Sequence, residues 1–421
     1  MSEEASQRKQ FRSVFIAVFL GTALLVLAFL VNSQRPRVGL DQPTAELASA
    51  TGRCAACHRN ETSAVVHQYE RSKHASVGVN CLQCHRPVEG QTPTEHNGFT
   101  IATRLTSANC KQCHPTEYAQ FERSRHGLPA FAAVEGVASA SEAQITLAER
   151  YHPGAVRRPP NALAIQQGGG VKVKGCVACH EIGRPNPDGS VGTCTQCHSR
   201  HAASVALARR PETCGQCHMG PDHSQLEIYN ESKHGVLFRA EEHALNLHAA
   251  PKSLSTADMP IPTCATCHLS GLEGLNVTHD TTERLSWFLF APTSNKREHY
   301  QRGRDAMQEV CLKCHARPGV ERYYQEAEVV VDATNAKVEV VQRLVAGLRE
   351  DGLLTPEPFD EPLEFLVFDY WHYYGRTAKH GGFMGGADFV QWHGNYELLK
   401  LKVEIEEAAA ELRAEHAQKR D

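Results

Sequence analysis

A histidine follows the second cysteine of every Cys-x-x-Cys pair in this chain, eight times out of eight, and none of the 16 cysteines is left over. In sequence order the groups are Cys54/Cys57/His58 (motif 1), Cys81/Cys84/His85 (motif 2), Cys110/Cys113/His114 (motif 3), Cys176/Cys179/His180 (motif 4), Cys194/Cys197/His198 (motif 5), Cys214/Cys217/His218 (motif 6), Cys264/Cys267/His268 (motif 7) and Cys311/Cys314/His315 (motif 8). Zinc ribbons need no histidine in that slot, and neither do thioredoxin-like pairs or disulfides. Cys-x-x-Cys-His is the requirement for covalent c-type haem: each thiol adds to a vinyl group, and the histidine becomes an axial iron ligand. The sequence therefore predicts eight covalently attached haems c, with His58, His85, His114, His180, His198, His218, His268 and His315 as their proximal ligands.

Motifs 4, 5 and 6 fall between Cys176 and His223, and the stretch ends in Gly220-Pro221-Asp222-His223. A peptide this short cannot hold three large flat groups far apart, so their irons are expected to be near neighbours with the Asp-His pair among them. The chain has 421 residues with 31 Gly, 21 Pro and only 41% hydrophobic residues. That composition predicts a mainly α fold with extensive coil, in which haems packed in pairs replace one large apolar core. With 44 basic and 48 acidic residues the net charge is -4, which gives no support for nucleic-acid binding.

The chain opens with a polar head, residues 1–12, followed at 13–34 by a segment with no charged side chain, nearly continuously apolar from Val14 to Val31. Such a run is long enough to span a bilayer as a single helix. The alternative, a cleaved signal peptide, calls for a shorter apolar stretch and small residues at its end; Val31-Asn32-Ser33-Gln34-Arg35-Pro36 does not offer them. An uncleaved anchor is expected, with a cytoplasmic head and the haem region in the periplasm of a bacterial inner membrane, because c-type haem is attached on that outer side. Residues 35–50 read as a linker, 51–318 as the octahaem-binding domain, and 319–421 as a C-terminal helical region.

Local helices are legible too. Ser141 to Arg150 reads as a helix, and Gly168-Gly169-Gly170, which lacks a phosphate-loop lysine, as a flexible turn. In Glu321 to Glu350 the residues Ala327, Val331, Val338, Val341, Leu344, Val345 and Leu348 recur at helical spacing. Tyr396 to Lys419 repeats the pattern with Leu398, Leu399, Leu401, Val403, Ile405 and Leu412, giving two long packing helices that also suit oligomer contacts.

Sixth ligands come next. Of 24 histidines, 16 lie outside the motifs, against four methionines after the initiator: Met219, Met259, Met307 and Met384. Histidine is the expected second ligand for most haems, and bis-His ligation favours low potentials. His74, His126 and His234 share one context, a Ser-Lys/Arg-His run just after a glutamate, and look like one element used three times. His201, His243 or His248, His279, His380 and His393 are the further candidates.

At this point the residues resemble a known family, the octahaem hydroxylamine oxidoreductases. The resemblance rests on the eight motifs, the run Cys214-Gly-Gln-Cys-His-Met-Gly-Pro-Asp-His223, the Ser-Lys-His-Gly elements, Asn276-Val-Thr-His279-Asp280, and Ala387-Asp388-Phe389-Val390-Gln391-Trp392-His393-Gly394; it covers most of residues 51 to 415. It implies that motif 4 carries the catalytic haem, with His180 as proximal ligand and Asp222 and His223 over an open distal face. It also implies a homotrimer and a small nitrogenous substrate, nitrite or hydroxylamine. Family members that oxidise hydroxylamine carry a tyrosine that bonds to the catalytic haem of an adjacent subunit; local alignment puts Phe389 there, with Tyr373, Tyr374 and Tyr396 out of register. Relatives without the crosslink are associated with reduction, which is the expected direction here, fed by a quinol-oxidising or cytochrome partner. Oxidation of hydroxylamine or hydrazine is the alternative at the same site. A reading from another class stays open: a non-catalytic electron carrier with every iron six-coordinate, coupled to a quinol dehydrogenase.

Overall fold

The computed structural model describes residues 16, 18–27, 30 and 52–420. The expected head and linker lie outside the described residues, as does the remainder of the expected membrane span at 13–34. Residues 18–27 are helical, with Val18, Phe19, Leu20, Leu24, Leu25, Val26 and Leu27 exposed. No helix among the described residues is long and apolar enough to cross a membrane.

The chain divides into two compact units, Met1–Gly78 and Val79–Asp421. In the first, Gly52–Glu61 carries motif 1 and is followed by the helices Ser63–Glu70 and Lys73–Ser76. An Arg59–Glu70 ion pair ties the first two helices together, and Ala55, Val66 and Ala75 are buried.

As far as motif 8 the second unit is a succession of short helices and loops, as the glycine and proline content predicts. Its strands, among the described residues, are two small antiparallel ribbons: Thr94–His96 with Phe99–Ile101, and Trp287–Phe288 with Asn295–Lys296. The first turns at Asn97-Gly98, both at positive φ (49° and 82°), the chemistry a two-residue hairpin loop asks for. Apolar burial is split among separate clusters. One joins Leu128, Ala132, Ile145, Ala148 and Val156; a second contains Phe238, Leu254, Met259, Leu272 and Val310; the largest belongs to the C-terminal helices. A smaller cluster of Val134, Ala164 and Val177 packs against Cys176 of motif 4.

The expected helix at Ser141–Arg150 is present as Glu142–Tyr151, with Ser141 and Gln144 forming a capping box. The glycine run is a correction. Gly168 alone turns the chain, at φ 89°, while Gly169–Lys174 is helical and leads through Gly175 directly into motif 4. The Lys172–Glu135 ion pair, 2.9 Å, anchors that helix, so the two remaining glycines are held rather than free.

Four C-terminal helices frame one side: α1 (Arg317–Glu350), α2 (Pro362–Phe368), α3 (Arg376–Met384) and α4 (Glu397–Arg420). In α1 the expected stripe is buried at Ala327, Val331, Val338, Val341, Val345 and Leu348. In α4 the expected stripe divides: Leu398, Leu401 and Ile405 are buried, but Leu399 and Val403 face solvent. Residues one or two positions apart point about 100° or 200° apart on a helix, so a run this dense in leucine and valine occupies both faces. Two π-helical segments, Asp369–Gly375 before α3 and Gln391–Tyr396 before α4, interrupt the regular pitch.

Candidate active site

Each motif uses one helical turn. In motifs 3, 5, 6 and 8 the histidine amide donates to the carbonyl of the first cysteine at 2.9, 3.0, 3.0 and 2.9 Å. Positions i, i+3 and i+4 then lie on one face, so both thiols and the imidazole address the same flat group. A polar residue just ahead starts the turn: Asn80 and Thr263 form capping boxes for motifs 2 and 7, and Thr193 caps motif 5.

The residues fit haem c on two further counts. All sixteen cysteines are free thiols. Several motif histidines also have Nδ1 engaged, which leaves Nε2 for iron: His58 with Thr62 Oγ1 (2.7 Å), His85 with Ala102 O (2.9 Å), His180 with Ala130 O (2.6 Å) and His218 with Gln225 Oε1 (3.2 Å).

The enclosure of the thiols is uneven. Cys57, Cys113, Cys197 and Cys314 are exposed, whereas the other twelve are half-buried. All four are the second cysteine of their motifs, 1, 3, 5 and 8. His114 and His315, the histidines next to Cys113 and Cys314, are exposed as well. At Cys57, Cys113 and Cys314 the assignment as haem attachment points therefore rests on the motif and its single helical turn, not on burial.

Three expected sixth ligands stand opposite motif histidines. Ring centroids are 5.9 Å apart for His126 and His218, 6.3 Å for His279 and His198, and 5.9 Å for His234 and His315. Metal–imidazole bonds of about 2 Å on either side of one iron place two trans rings about 6 Å apart. Burial first, then neighbouring imidazoles, pushes the His126 pKa down to about 3, so that ring is neutral, the form that binds metal. His380 is buried, with Nδ1 bonded to Arg376 O at 2.8 Å; His393 is exposed, with Nδ1 2.6 Å from Asp388 Oδ2. His74 lies on Lys73–Ser76, His201 in a turn at φ 63°, and His248 in a loop following Glu242–Ala244; their iron partners rest on the sequence expectation.

The Ser-x-His context is one structural element, as expected. Ser72, Ser124 and Ser232 are all buried. Their oxygens accept backbone N–H groups of Ala75 (3.1 Å), His126 (3.1 Å) and Gly235 (3.2 Å). Each serine closes the turn that presents the histidine two residues on.

At motif 4 the expected residues come together. The His223 ring lies 6.4 Å from that of His180, and its Nδ1 donates to Asp222 Oδ2 at 2.5 Å. His223 is also 6.3 Å from His218, which lies 5.9 Å from His126. Burial would raise the Asp222 pKa, but the hydrogen bond from His223 and the charges of His223, His372 and Arg376 outweigh it and hold the carboxyl below its usual value.

Several residues of this site escaped the sequence reading, and they come from the C-terminal helices. His372, in the first π-helical segment, has Nδ1 4.0 Å from Asp222 Oδ2. Arg376 donates from Nη1 to His372 Nε2 at 2.8 Å and from Nε to Phe290 O at 3.0 Å. Thr377 Oγ1 donates to Pro221 O at 3.1 Å, which fixes the Gly-Pro-Asp-His turn against α3. Lys379 is fully buried, donates to Ala291 O and Pro292 O, and is pushed down to about 7 by burial and then by Arg376. Phe290 closes another side, 5.2 Å from His223 and 4.9 Å from His380. Nothing in the spacing of motifs marks His372, which lies some 150 residues from Asp222; π-helical segments at such places are a recurrent sign of a functional site.

The arrangement of motifs, thiols and opposed imidazoles agrees with a family comparison. The family described as "Seven times multi-haem cytochrome CxxCH" matches residues 76–362. The chain is a multi-haem cytochrome. The matched span contains motifs 2 to 8, and motif 1 precedes it. The cytochrome is 24% identical, over 370 residues, to a probable nitrite reductase-hydroxylamine oxidoreductase fusion protein of Kuenenia stuttgartiensis, covering 73% of this chain and 39% of the relative. It therefore spans well under half the length of that relative. Among solved structures it resembles a hypothetical multihaem protein, with 22% identity, a TM-score of 0.76, and 92% of this chain and 100% of the other covered. It also resembles a reducing HAO-like protein complex of Kuenenia stuttgartiensis, with 19% identity, a TM-score of 0.65, and 88% and 86% covered. These likenesses support the mainly helical multihaem cytochrome fold expected from the sequence.

Proposed function

We propose that this cytochrome carries eight haems c and reduces nitrite or hydroxylamine at motif 4. The observation that carries the reading is the Asp222–His223 pair set over His180 and backed by His372 and Arg376. Haem bound at Cys176 and Cys179 supplies electrons and a coordination position for nitrogen. The chain supplies protons and orientation. Asp222 Oδ2 holds the proton of His223 Nδ1 and so fixes that ring, leaving Nε2 as the atom that passes a proton onward. The neighbouring Arg376 charge suits an anionic substrate.

Phe389 supports the reductive direction: it is buried, stacked on His393 at 5.2 Å, and has no phenol oxygen to form a crosslink. Hydroxylamine or hydrazine oxidation is the alternative at the same residues. We further read residues 13–34 as a single-pass inner-membrane anchor, with the haem region in the periplasm and a quinol-oxidising or cytochrome partner delivering electrons. A homotrimer completes the reading; the exposed row Trp392, Tyr396, Leu399 and Val403 offers copies of this chain an apolar contact. Steady-state assays of haem-loaded protein test the direction: nitrite with a low-potential donor should turn over, and turnover only with hydroxylamine plus an acceptor would reverse it.

A second reading has its own observation. The 6.4 Å between His180 and His223 is close to the three bis-His separations, so His223 is able to cap that iron and make the protein an electron carrier. A high-spin signal, or a spectral response to nitrite or cyanide, favours the enzyme; a wholly low-spin, unresponsive protein favours the carrier.

A further inference from the structure

His372 is held more firmly than a bystander needs to be. Its ring stacks on Phe368 at 4.2 Å and 20°, and its Nε2 meets Arg376 Nη1 at 2.8 Å. The guanidinium is itself locked by the Phe290 carbonyl at 3.0 Å and lies over the Phe290 and Trp371 rings at 5.3 and 5.0 Å. A guanidinium only donates, so Nε2 is the acceptor and the proton of the neutral ring resides on Nδ1. That Nδ1–H is buried, has no hydrogen-bond partner among the described residues, and lies 4.0 Å from Asp222 Oδ2. Four ångströms is too long for a hydrogen bond, and a buried donor left unmade is unfavourable. Among the described residues no polar atom satisfies it.

We propose that His372 is a substrate-binding residue of the motif 4 site, whose Nδ1–H donates to an oxygen of a nitrogen oxyanion held beside the Asp222–His223 pair. The inference rests on motif 4 being the reaction site and deepens that reading: it assigns a donor selective for the oxygen end of the substrate. Asp222 Oδ2 is already committed to His223 Nδ1, so two donors flank one carboxylate. An incoming oxygen acceptor completes the second donor without displacing the first bond.

The test uses haem-loaded full-length protein and two substitutions. His372→Leu removes both ring nitrogens. His372→Asn keeps an N–H donor near the position of Nδ1 while losing the bond to Arg376, so the two variants share every loss except that donor. Nitrite binding to the oxidised protein is followed by the change in its high-spin spectrum, and carbon monoxide binding to the reduced protein reports an accessible iron without needing a strong hydrogen-bond donor. His372→Leu should bind nitrite about ten-fold more weakly, the effect of one lost buried hydrogen bond, with carbon monoxide affinity unchanged and His372→Asn near wild type. Wild-type nitrite affinity in the leucine variant would overturn the proposal, as would equal weakening in both variants, which would assign the effect to the Arg376 contact. If wild-type protein responds to neither ligand, the catalytic reading of motif 4 fails first and this inference falls with it.

Discussion

His223 stands at ligation distance from His180, yet its Nδ1 is committed to Asp222, so the behaviour of motif 4 depends on what the carboxylate does to that ring. Asp222→Asn removes the charge that orients and supports His223 while preserving shape. Turnover should fall about 100-fold, the usual scale for a lost proton-transfer partner, with haem content by pyridine haemochrome unchanged; a loss of haem instead would make Asp222 structural. A second carboxylate serves the fold. Asp188 accepts from Ser190 Oγ (2.6 Å), Thr106 Oγ1 (2.6 Å) and Gln91 Nε2 (2.9 Å), which joins the loop before motif 5 to the start of motif 3. Burial would raise its pKa, but those hydrogen bonds outweigh the burial and lower it. A folded pKa below the unfolded one means that the stabilisation is present above about pH 4 and is lost as pH falls through the folded value. Asp188→Asn should therefore flatten the acid side of a pH–stability curve measured by denaturant unfolding. Asp222 and His223 were legible because they directly follow motif 6 in an otherwise small-residue run. His372 and Arg376 were not, because folding alone brings them near from the far end of the chain.

Short polar caps carry the local structure at the scale of elements, although only the helix that Ser141 begins was read in advance. Asn80, Thr106, Ser141 and Thr263 all start helices through capping boxes, a signature visible as a polar residue three positions before a second polar one. The Ser-x-His element follows the same logic: its serine satisfies the backbone so that the next turn can present an imidazole. Ser232 caps Lys233–Glu241 and also donates to Tyr229 O at 2.7 Å. Ser232→Ala should cost about 1 kcal/mol of stability, read as a lower denaturant midpoint. It should also loosen His234 from the position opposite His315, read as a new high-spin fraction; an unchanged low-spin spectrum would mean that the cap does not position the ligand. The π-helical segments lay beyond such reading. Tyr370 and Gly375 are buried in the first and Gly394 in the second, and no residue pattern announces either segment.

Across the whole second unit the thiols define a path. Cys84 neighbours Cys110, and Cys110 neighbours Cys194; Cys197 neighbours Cys214, which in turn neighbours Cys264, and Cys267 neighbours Cys311. Motif 4 joins this line at motif 6, where Cys179 meets Cys217. The order is therefore 2, 3, 5, 6, 7, 8, with the candidate reaction site as a branch at the middle rather than at an end. The mainly α, coil-rich fold was legible from the motif count and the glycine and proline content. The branch was not, because it depends on which motifs touch. On the proposed function, this branch makes motif 6 the junction through which electrons from either direction reach motif 4. His126 is the handle on that junction, 5.9 Å from His218. Replacing one histidine of a bis-His pair by methionine raises a haem potential, so His126→Met should move one midpoint upward in spectroelectrochemistry while haem content stays constant. An electron held more tightly at motif 6 leaves it more slowly for motif 4. Turnover with nitrite should fall under a low-potential donor, although Asp222, His223 and His372 are untouched. If one midpoint moves and turnover does not, electrons reach motif 4 by another route and the junction is misplaced; if no midpoint moves, His126 is not the ligand.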